Sequence, residues 1–485
     1  MSNKPRTKIV CTMGPSTEDD EVLREMIRSG MTVARLNFSH GTHDYHRKNI
    51  ERVRRIADEL GTTIAILTDT KGPEIRTGTN RDHEPFFLKV DDKVVVTTTP
   101  VEGTSERFFV DYAALPSEVS PGSTIYIDDG LIGLEVERVE GSDIVCRVIN
   151  GGFVGEHKGV NIPNVGADLP SVTERDRSDI KFSCEMGVDA IAASFVRNEH
   201  AVIEIRELCQ KYGRPDMQIF SKIESSLGVS NLDSIIEVSD GIMVARGDLG
   251  VEVPPAELPH LQKEIIMKCN YSFKPVITAT QMLDSMTHNP RPTRAEVTDV
   301  ANAILDGTDC VMLSAETAAG RYPVESVRMM AEVCRKTEPY LNSRDDFDEA
   351  FAGVDTGLEY IGVITGFAAV TAAQRIGAAA LLCPTLSGTT ARVMSAIRPK
   401  LPILATSPSA ATIRRTNFYW GVQGILSQDR EWLSQVCYNS MRTAKDAGLL
   451  QSGDIVVITA GDPLTSPNSL GQNPHTNVCM ISQVL

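Results

Sequence analysis

Eight short apolar runs, rich in Val, Ile and Ala, constrain this chain more than any other feature of its sequence. They are Lys8 to Thr12, Thr32 to Leu36, Thr63 to Leu67, Asp189 to Ala193, Gln218 to Ser221, Gly241 to Ala245, Pro275 to Ala279 and Asp309 to Leu313. Runs without polar alternation mark strands buried on both faces, the condition of a parallel sheet. Helix-period segments such as Asp19 to Ser29 and Tyr45 to Glu59 lie between most of them. Eight such strands with intervening helices predict an α/β fold, a (β/α)8 TIM barrel.

Two other regions have a different texture. Residues 71–170 contain short alternating segments, beginning at Lys93, Thr124 and Ile144, separated by Pro-Gly, Asp-Asp-Gly and Glu-Gly-Ser turns. They predict a small all-β domain inserted between the third and fourth barrel strands. Its junctions, Lys71-Gly-Pro73 and Gly166-Ala-Asp-Leu-Pro170, carry hinge-type residues, so the insertion reads as a lid over the barrel mouth. Beyond a polar linker, Asn342 to Asp348, strand-like segments at Ala379 to Cys383, Pro402 to Ala405, Gly421 to Leu426, Ile455 to Ala460 and Val478 to Val484 alternate with helical ones. They predict a C-terminal open-sheet α/β domain over 341–485, which leaves 1–70 and 171–340 to the barrel.

Charge excludes several partners. A formal net charge of −16 repels nucleic acid and anionic membrane surfaces, so a phosphate ligand requires a local basic pocket or a metal. No apolar run reaches the ~18 residues of a membrane span, and the polar segment Met1 to Arg6 leads directly into a strand. A cytoplasmic protein is expected. The ten cysteines are scattered without a Cys-x-x-Cys pair, which predicts reduced, buried thiols and neither a zinc site nor a disulfide framework.

In a barrel of this kind the chemistry lies where the strands end. The second strand leaves through Arg35-Leu-Asn-Phe-Ser-His-Gly41 and the third through Thr68-Asp-Thr-Lys-Gly-Pro-Glu-Ile-Arg76. The fourth ends at Ser194, the fifth gives Ser221-Lys-Ile-Glu224, and the sixth gives Ala245-Arg-Gly-Asp248. Thr278-Ala-Thr-Gln281 and Ser314-Ala-Glu316 complete the rim. Polar residues at strand exits often only cap the next helix; Arg, Lys, Glu and Asp converging from several strands indicate a functional rim. Lys222 and Glu224, two apart on a strand, face the same way, and Arg246 and Asp248 are expected to repeat that arrangement on the next strand. The carboxylates Glu224 and Asp248, on neighbouring strands, suit Mg2+ that keeps positions for water and substrate oxygens. Neither a Gly-x-x-x-x-Gly-Lys-Ser/Thr loop nor a Gly-x-Gly-x-x-Gly fingerprint follows a strand, against a P-loop or Rossmann nucleotide site.

The segments Cys11-Thr-Met-Gly-Pro15, Ala34-Arg-Leu-Asn-Phe-Ser-His-Gly41, Asp69-Thr-Lys-Gly-Pro-Glu-Ile-Arg-Thr-Gly78, Lys158-Gly-Val-Asn-Ile-Pro163, Ser221-Lys-Ile-Glu224, Met243 to Glu252, Ile277-Thr-Ala-Thr-Gln-Met282, Pro292-Thr-Arg-Ala-Glu296 and Leu313-Ser-Ala-Glu-Thr317 resemble, in order, the pyruvate kinase family. The resemblance implies transfer of the phosphoryl group of phosphoenolpyruvate to ADP, giving pyruvate and ATP in glycolysis. It assigns Glu224 and Asp248 to the divalent metal, Mg2+ or Mn2+, and Arg35 and Lys222 to the phosphoryl group in flight. Thr280 looks like the residue beside the enol carbon, and the Gly247 and Asp248 amides like the cradle for the substrate carboxylate. Nucleotide contacts would come from Pro15, Asn37, His40, Tyr45, Arg76 and Lys158. Asn37, Ser39, Asp69 and Thr70 offer oxygen ligands for K+, and Glu74 after Gly-Pro resembles the K+-dependent members. A homotetramer is implied as well.

In the C-terminal domain, Pro384-Thr-Leu-Ser-Gly-Thr-Thr-Ala-Arg392 follows a strand and opens a helix. Free N–H groups there, with the hydroxyls of Thr385, Ser387, Thr389 and Thr390 around Gly388, could hold a phosphate dianion; an ordinary Ser/Thr N-cap accounts for the same residues. The loop resembles the family's effector-phosphate loop, with Gly461 to Asn477 as a second loop. A phosphorylated allosteric activator is implied, and the length of that second loop points to a sugar monophosphate or AMP rather than fructose 1,6-bisphosphate.

Two rival functions share part of this pattern. A metal-dependent barrel lyase or aldolase acting on pyruvate would use Glu224 and Asp248 but leave Arg76, Lys158 and the lid with no nucleotide to hold. A catalytically silent metabolite sensor would use the C-terminal domain alone, without accounting for Arg35, Lys222, Glu224, Asp248 and Thr280 together.

Overall fold

The continuous apolarity of the eight runs follows from how alternate residues point. In the computed structural model, which describes residues 4–163, 165, 169–341, 360–428, 432–461 and 476–485, Val10, Val33, Leu67, Ala192, Met243, Ile277 and Met312 face one core along the barrel axis. Ile9, Cys11, Ala34, Ile66, Ile191, Val244 and Val311 face a second core, against the surrounding helices. The strands are Lys8–Thr12, Val33–Asn37, Ala65–Asp69, Ala190–Ala193, Gln218–Ile223, Gly241–Ala245, Val276–Ala279 and Cys310–Leu313. They close into a parallel barrel in which the first strand pairs with both the second and the last. The helices between them end where their sequence dictates. Asp20–Ser29, for example, is capped by Asp19, whose carboxylate accepts the N–H groups of Glu21 and Val22, and stops at Gly30.

The insertion forms a seven-stranded sheet that includes Lys93–Thr97, Thr124–Ile127 and Asp143–Asn150, beside a two-stranded ribbon. It leaves the barrel at Gly72, where φ is +72° and a Cβ would lie 2.9 Å from that of Ser194. Only glycine satisfies both conditions. The expected return hinge at 166–168 lies outside the described residues, as does the linker at 342–348.

The C-terminal strands Ala380–Pro384, Ile403–Ser407, Val422–Leu426 and Ile455–Ala460 are parallel, and Val478–Gln483 joins the last of them antiparallel at an edge. This sheet covers the N-terminal ends of the barrel strands. The axial core continues into Phe418 and Tyr419, with the Phe220 and Phe418 rings 4.8 Å apart. Arg398 and Asp309 form a buried pair at 2.7 Å, Arg414 meets Asp189 at 2.8 Å, and the Lys8 ammonium donates to the Val422 carbonyl at 2.6 Å. One end of the barrel is thereby filled, and the other is left for chemistry.

Nine of the ten cysteines are buried, but Cys479 is exposed. It departs from expectation because it lies on the edge strand, where burial alternates. Among the described residues no helix is long and apolar enough to cross a membrane.

Candidate active site

Four adjacent strand exits, the second to the fifth, build one network. Asp69, at the end of the third strand, accepts from the Arg35 guanidinium at 2.7 Å on one oxygen and from the Lys222 ammonium at 3.1 Å on the other. Lys222 also donates to Ser194 Oγ at 2.8 Å and pairs with Glu224 at 2.8 Å. The same-face reading of Lys222 and Glu224 therefore holds, in a buried setting rather than on an exposed edge. Glu224 uses its second oxygen to accept the Phe195 N–H at 2.6 Å.

Burial opposes charge throughout, and the neighbours decide the outcome. For Asp69, Arg35 and Lys222 outweigh burial and hold its carboxyl below the usual range. For Lys222, Asp69 and Glu224 overcome burial and keep the ammonium firmly protonated. Burial raises Glu224 and Asp248 despite Lys222, and a nearby negative charge adds to each shift: Asp248 acts on Glu224, and Asp129 on Asp248. Two adjacent buried carboxyl groups that resist ionising together are a fitting pair for a divalent cation, which would relieve their repulsion. Among the described residues no group of three or more His, Cys, Asp or Glu is placed to hold a metal ion.

The expectation for Arg246 and Asp248 fails. Both lie in the first turn of the helix Arg246–Glu252, where a separation of two residues rotates the side chains ~200° apart. Arg246 turns away from the mouth to the Ala279 and Thr280 carbonyls, at 3.2 and 2.6 Å, and to Asp299 at 2.7 Å. Asp248 remains at the mouth, where it lines the cleft under the lid. Thr280, with φ at +67°, accepts the Gly247 N–H on its hydroxyl at 2.8 Å. The expected carboxylate cradle and Thr280 are therefore in direct contact. Glu316, counted with the rim, caps backbone instead, accepting the N–H groups of Leu283 and Ser314.

A cleft of about 330 Å³ separates the lid from the barrel and brings Arg76, Lys158 and Asp248 together. Arg76 is held by Glu74 at 2.6 Å and by the His157 carbonyl, and Lys158 by Asp128 at 2.9 Å. Pro15, Asn37, His40 and Tyr45 do not line this cleft. Asn37 ends the second strand and the others follow the first two, where His46 Nε2 contacts the His40 carbonyl at 2.8 Å. Of the K+ set, Asn37 and Asp69 are direct strand neighbours. The Asn37 side-chain Oδ1 accepts the Ser39 N–H, and Thr70 Oγ accepts the Ser194 N–H. These oxygens are of the right type for K+; that of Asn37 is held within its own loop, and those of Asp69 and Thr70 by residues of other strands.

In the C-terminal loop the half-buried Ser387 and the exposed Thr389 are bonded to each other at 3.0 Å, and Thr385 accepts the Gly388 N–H. Thr390 does not join them: it is buried, 2.6 Å from Thr476. Most of the proposed second loop, 462–475, lies outside the described residues.

Ser194 holds Lys222, Phe195 holds Glu224 and Asp128 holds Lys158, and the sequence alone assigns none of the three such a part. The register of neighbouring strand ends was the available signal for the first two, and the Asp-Asp-Gly turn for the third.

A family model described as pyruvate kinase, barrel domain, matches residues 4–327, and one described as pyruvate kinase, alpha/beta domain, matches 365–482. The chain belongs to the pyruvate kinase family. It is a phosphotransferase. A pyruvate kinase from Geobacillus stearothermophilus is 47% identical over 480 residues, covering 99% of this chain and 80% of that protein. One from Clostridium acetobutylicum is 45% identical, covering 94% and 96%. The crystal structure of a pyruvate kinase from Cryptosporidium parvum superposes with a TM-score of 0.93 at 38% identity, covering 99% of this chain and 96% of that one.

Proposed function

We propose that this chain transfers the phosphoryl group of phosphoenolpyruvate to ADP at the mouth formed by Arg35, Lys222, Glu224 and Asp248. The observation that carries this reading is the Lys222 ammonium, largely shielded from water and fixed by Asp69, Ser194 and Glu224. Phosphoryl transfer needs positive charge already in place around the equatorial oxygens. A fixed ammonium and the Arg35 guanidinium supply it without reorganisation. An ADP β-phosphate oxygen attacks phosphorus as the bond to the enol oxygen breaks, and the enolate then takes a proton at its terminal carbon to give pyruvate. Thr280 and the Gly247 amide orient the carboxylate and enol end of the substrate. Arg76 and Lys158 hold the nucleotide phosphates from the lid.

Glu224 and Asp248 would hold Mg2+ or Mn2+, which neutralises phosphate charge when bound. Asn37, Ser39, Asp69 and Thr70 would hold K+. On this reading residues 1–70 and 171–340 are the catalytic barrel, 71–170 the lid and 341–485 a regulatory domain. The Ser387 and Thr389 loop takes a phosphorylated activator, and four copies assemble. An assay of pyruvate formed from phosphoenolpyruvate with and without ADP tests the reading: formation that ignores ADP indicates a lyase-type reaction, and none with ADP indicates a silent sensor.

A further inference from the structure

The helix Arg246–Glu252 carries Asp248 near its start and Glu252 at its end. The inserted domain touches it in two places. At Asp128, Asp129 and Gly130 the backbone is left-handed at all three residues, and a Cβ at Gly130 would lie in ordinary van der Waals contact, 3.5 Å from a Val251 methyl. At the end of the strand Gly159–Asn161, Asn161 and Glu252 line the same cleft from opposite sides of the domain boundary, with the Asn161 side-chain amide as a hydrogen-bond donor to the Glu252 carboxylate. That carboxylate also accepts the backbone N–H of Ser226, two residues beyond Glu224.

The position of Asn161 in the lid gives this contact its reach. Gly159 is paired with Arg76 and Asn161 with Tyr126, so Arg76, Lys158 and Asn161 ride on one small ladder. At ~3.3 Å per residue, Asn161 is only ~10 Å from Lys158 along that strand. Whatever fixes Asn161 fixes the height of both cations above the cleft. The contact joins side chains of the two domains, whereas the Gly130 contact is packing alone. We propose that the Asn161 amide and the Glu252 carboxylate are the latch that seats the lid on the barrel, and that both are positioning residues for the nucleotide. The proposal rests on the reading above that Arg76 and Lys158 hold the phosphates of ADP. Burial raises the Glu252 carboxyl to about 7, while the Asn161 and Ser226 donors draw it back down, as expected of a partly desolvated group that needs both.

The chemistry of the pair allows a test by exchange. Asn161→Asp sets carboxylate against carboxylate and should raise KM for ADP at least tenfold, with KM for phosphoenolpyruvate within twofold of the parent. Glu252→Gln keeps the acceptor for Ser226 and should raise KM for ADP two- to threefold. The double variant reverses donor and acceptor: the introduced amide donates to the introduced carboxylate and still accepts from Ser226. It should return KM for ADP to within threefold of the parent, a recovery that damage to packing would not produce. An unchanged KM for ADP in Asn161→Asp, or a double variant no better than it, overturns the latch. Should Asn161→Asp fail to fold by circular dichroism, Glu252→Ala takes its place, and a parent-like KM for ADP there overturns it equally. A parent enzyme that forms no pyruvate from phosphoenolpyruvate and ADP would instead remove the functional reading beneath it.

Discussion

The Lys222 ammonium lies 2.8 Å from a Glu224 carboxylate oxygen, two residues along the same strand exit. The pair sets a cation meant for phosphate directly against a carboxylate suited to a metal. Glu224 is buried and the Lys222 side chain only 11% exposed, so each is held chiefly by its neighbours rather than by water, and removing any one alters the rest.

Asp69 is the first place to see that dependence, because Arg35 and Lys222 share its two oxygens. Asp69→Asn leaves two cations facing a neutral amide. Turnover should fall about a hundredfold and stability by about 3 kcal/mol, as for loss of one partner in a buried ion pair. Steady-state kinetics and thermal denaturation check both; parent-like stability would show that the cations do not depend on it.

Divalent-metal dependence should vary with pH in a direction set by Glu224 and Asp248. Their raised pKa values mean that protons compete with the metal, so the half-saturating Mg2+ concentration should rise as pH falls. Glu224→Gln should weaken Mg2+ activation at least tenfold and flatten that pH dependence. Titration of activity with Mg2+ at several pH values measures both effects.

Activity should require K+, with little turnover in Na+ or tetramethylammonium buffer. Glu74→Lys should partly relieve that requirement at a cost, because Glu74 also holds Arg76 at 2.6 Å. KM for ADP should rise several-fold in the same variant. Full activity of the parent without K+ contradicts the assignment.

A panel of sugar monophosphates and AMP should contain a compound that lowers the half-saturating phosphoenolpyruvate concentration. Thr389→Glu should mute that response while basal turnover survives, since Thr389 is exposed and begins its helix, where a carboxylate favours the helix. Thr390 is unsuitable for the test because its hydroxyl is buried against Thr476. A saturation curve unmoved by the whole panel leaves the loop as a helix cap.

The barrel was legible because both faces of each strand are buried, so residues such as Val10 and Ile9 are equally apolar for different reasons. Lys222 and Glu224 were legible because strand alternation is a strict rule. The same rule misled at Arg246 and Asp248, where a helix begins at once after Ala245 and carries one side chain inward. Glu316 was overcounted because a carboxylate that caps backbone looks, in sequence, like one that faces substrate. Ser194 and Phe195 act through a hydroxyl and a main-chain N–H, neither of which marks a residue type.

The most direct measurement is turnover of Lys222→Met with phosphoenolpyruvate, ADP, Mg2+ and K+. Removing the ammonium takes away charge that matters chiefly in the transition state, so the rate should fall by about a thousandfold or more, with the circular dichroism spectrum unchanged. A fall of less than about tenfold, ~1.4 kcal/mol in the barrier, would contradict the account.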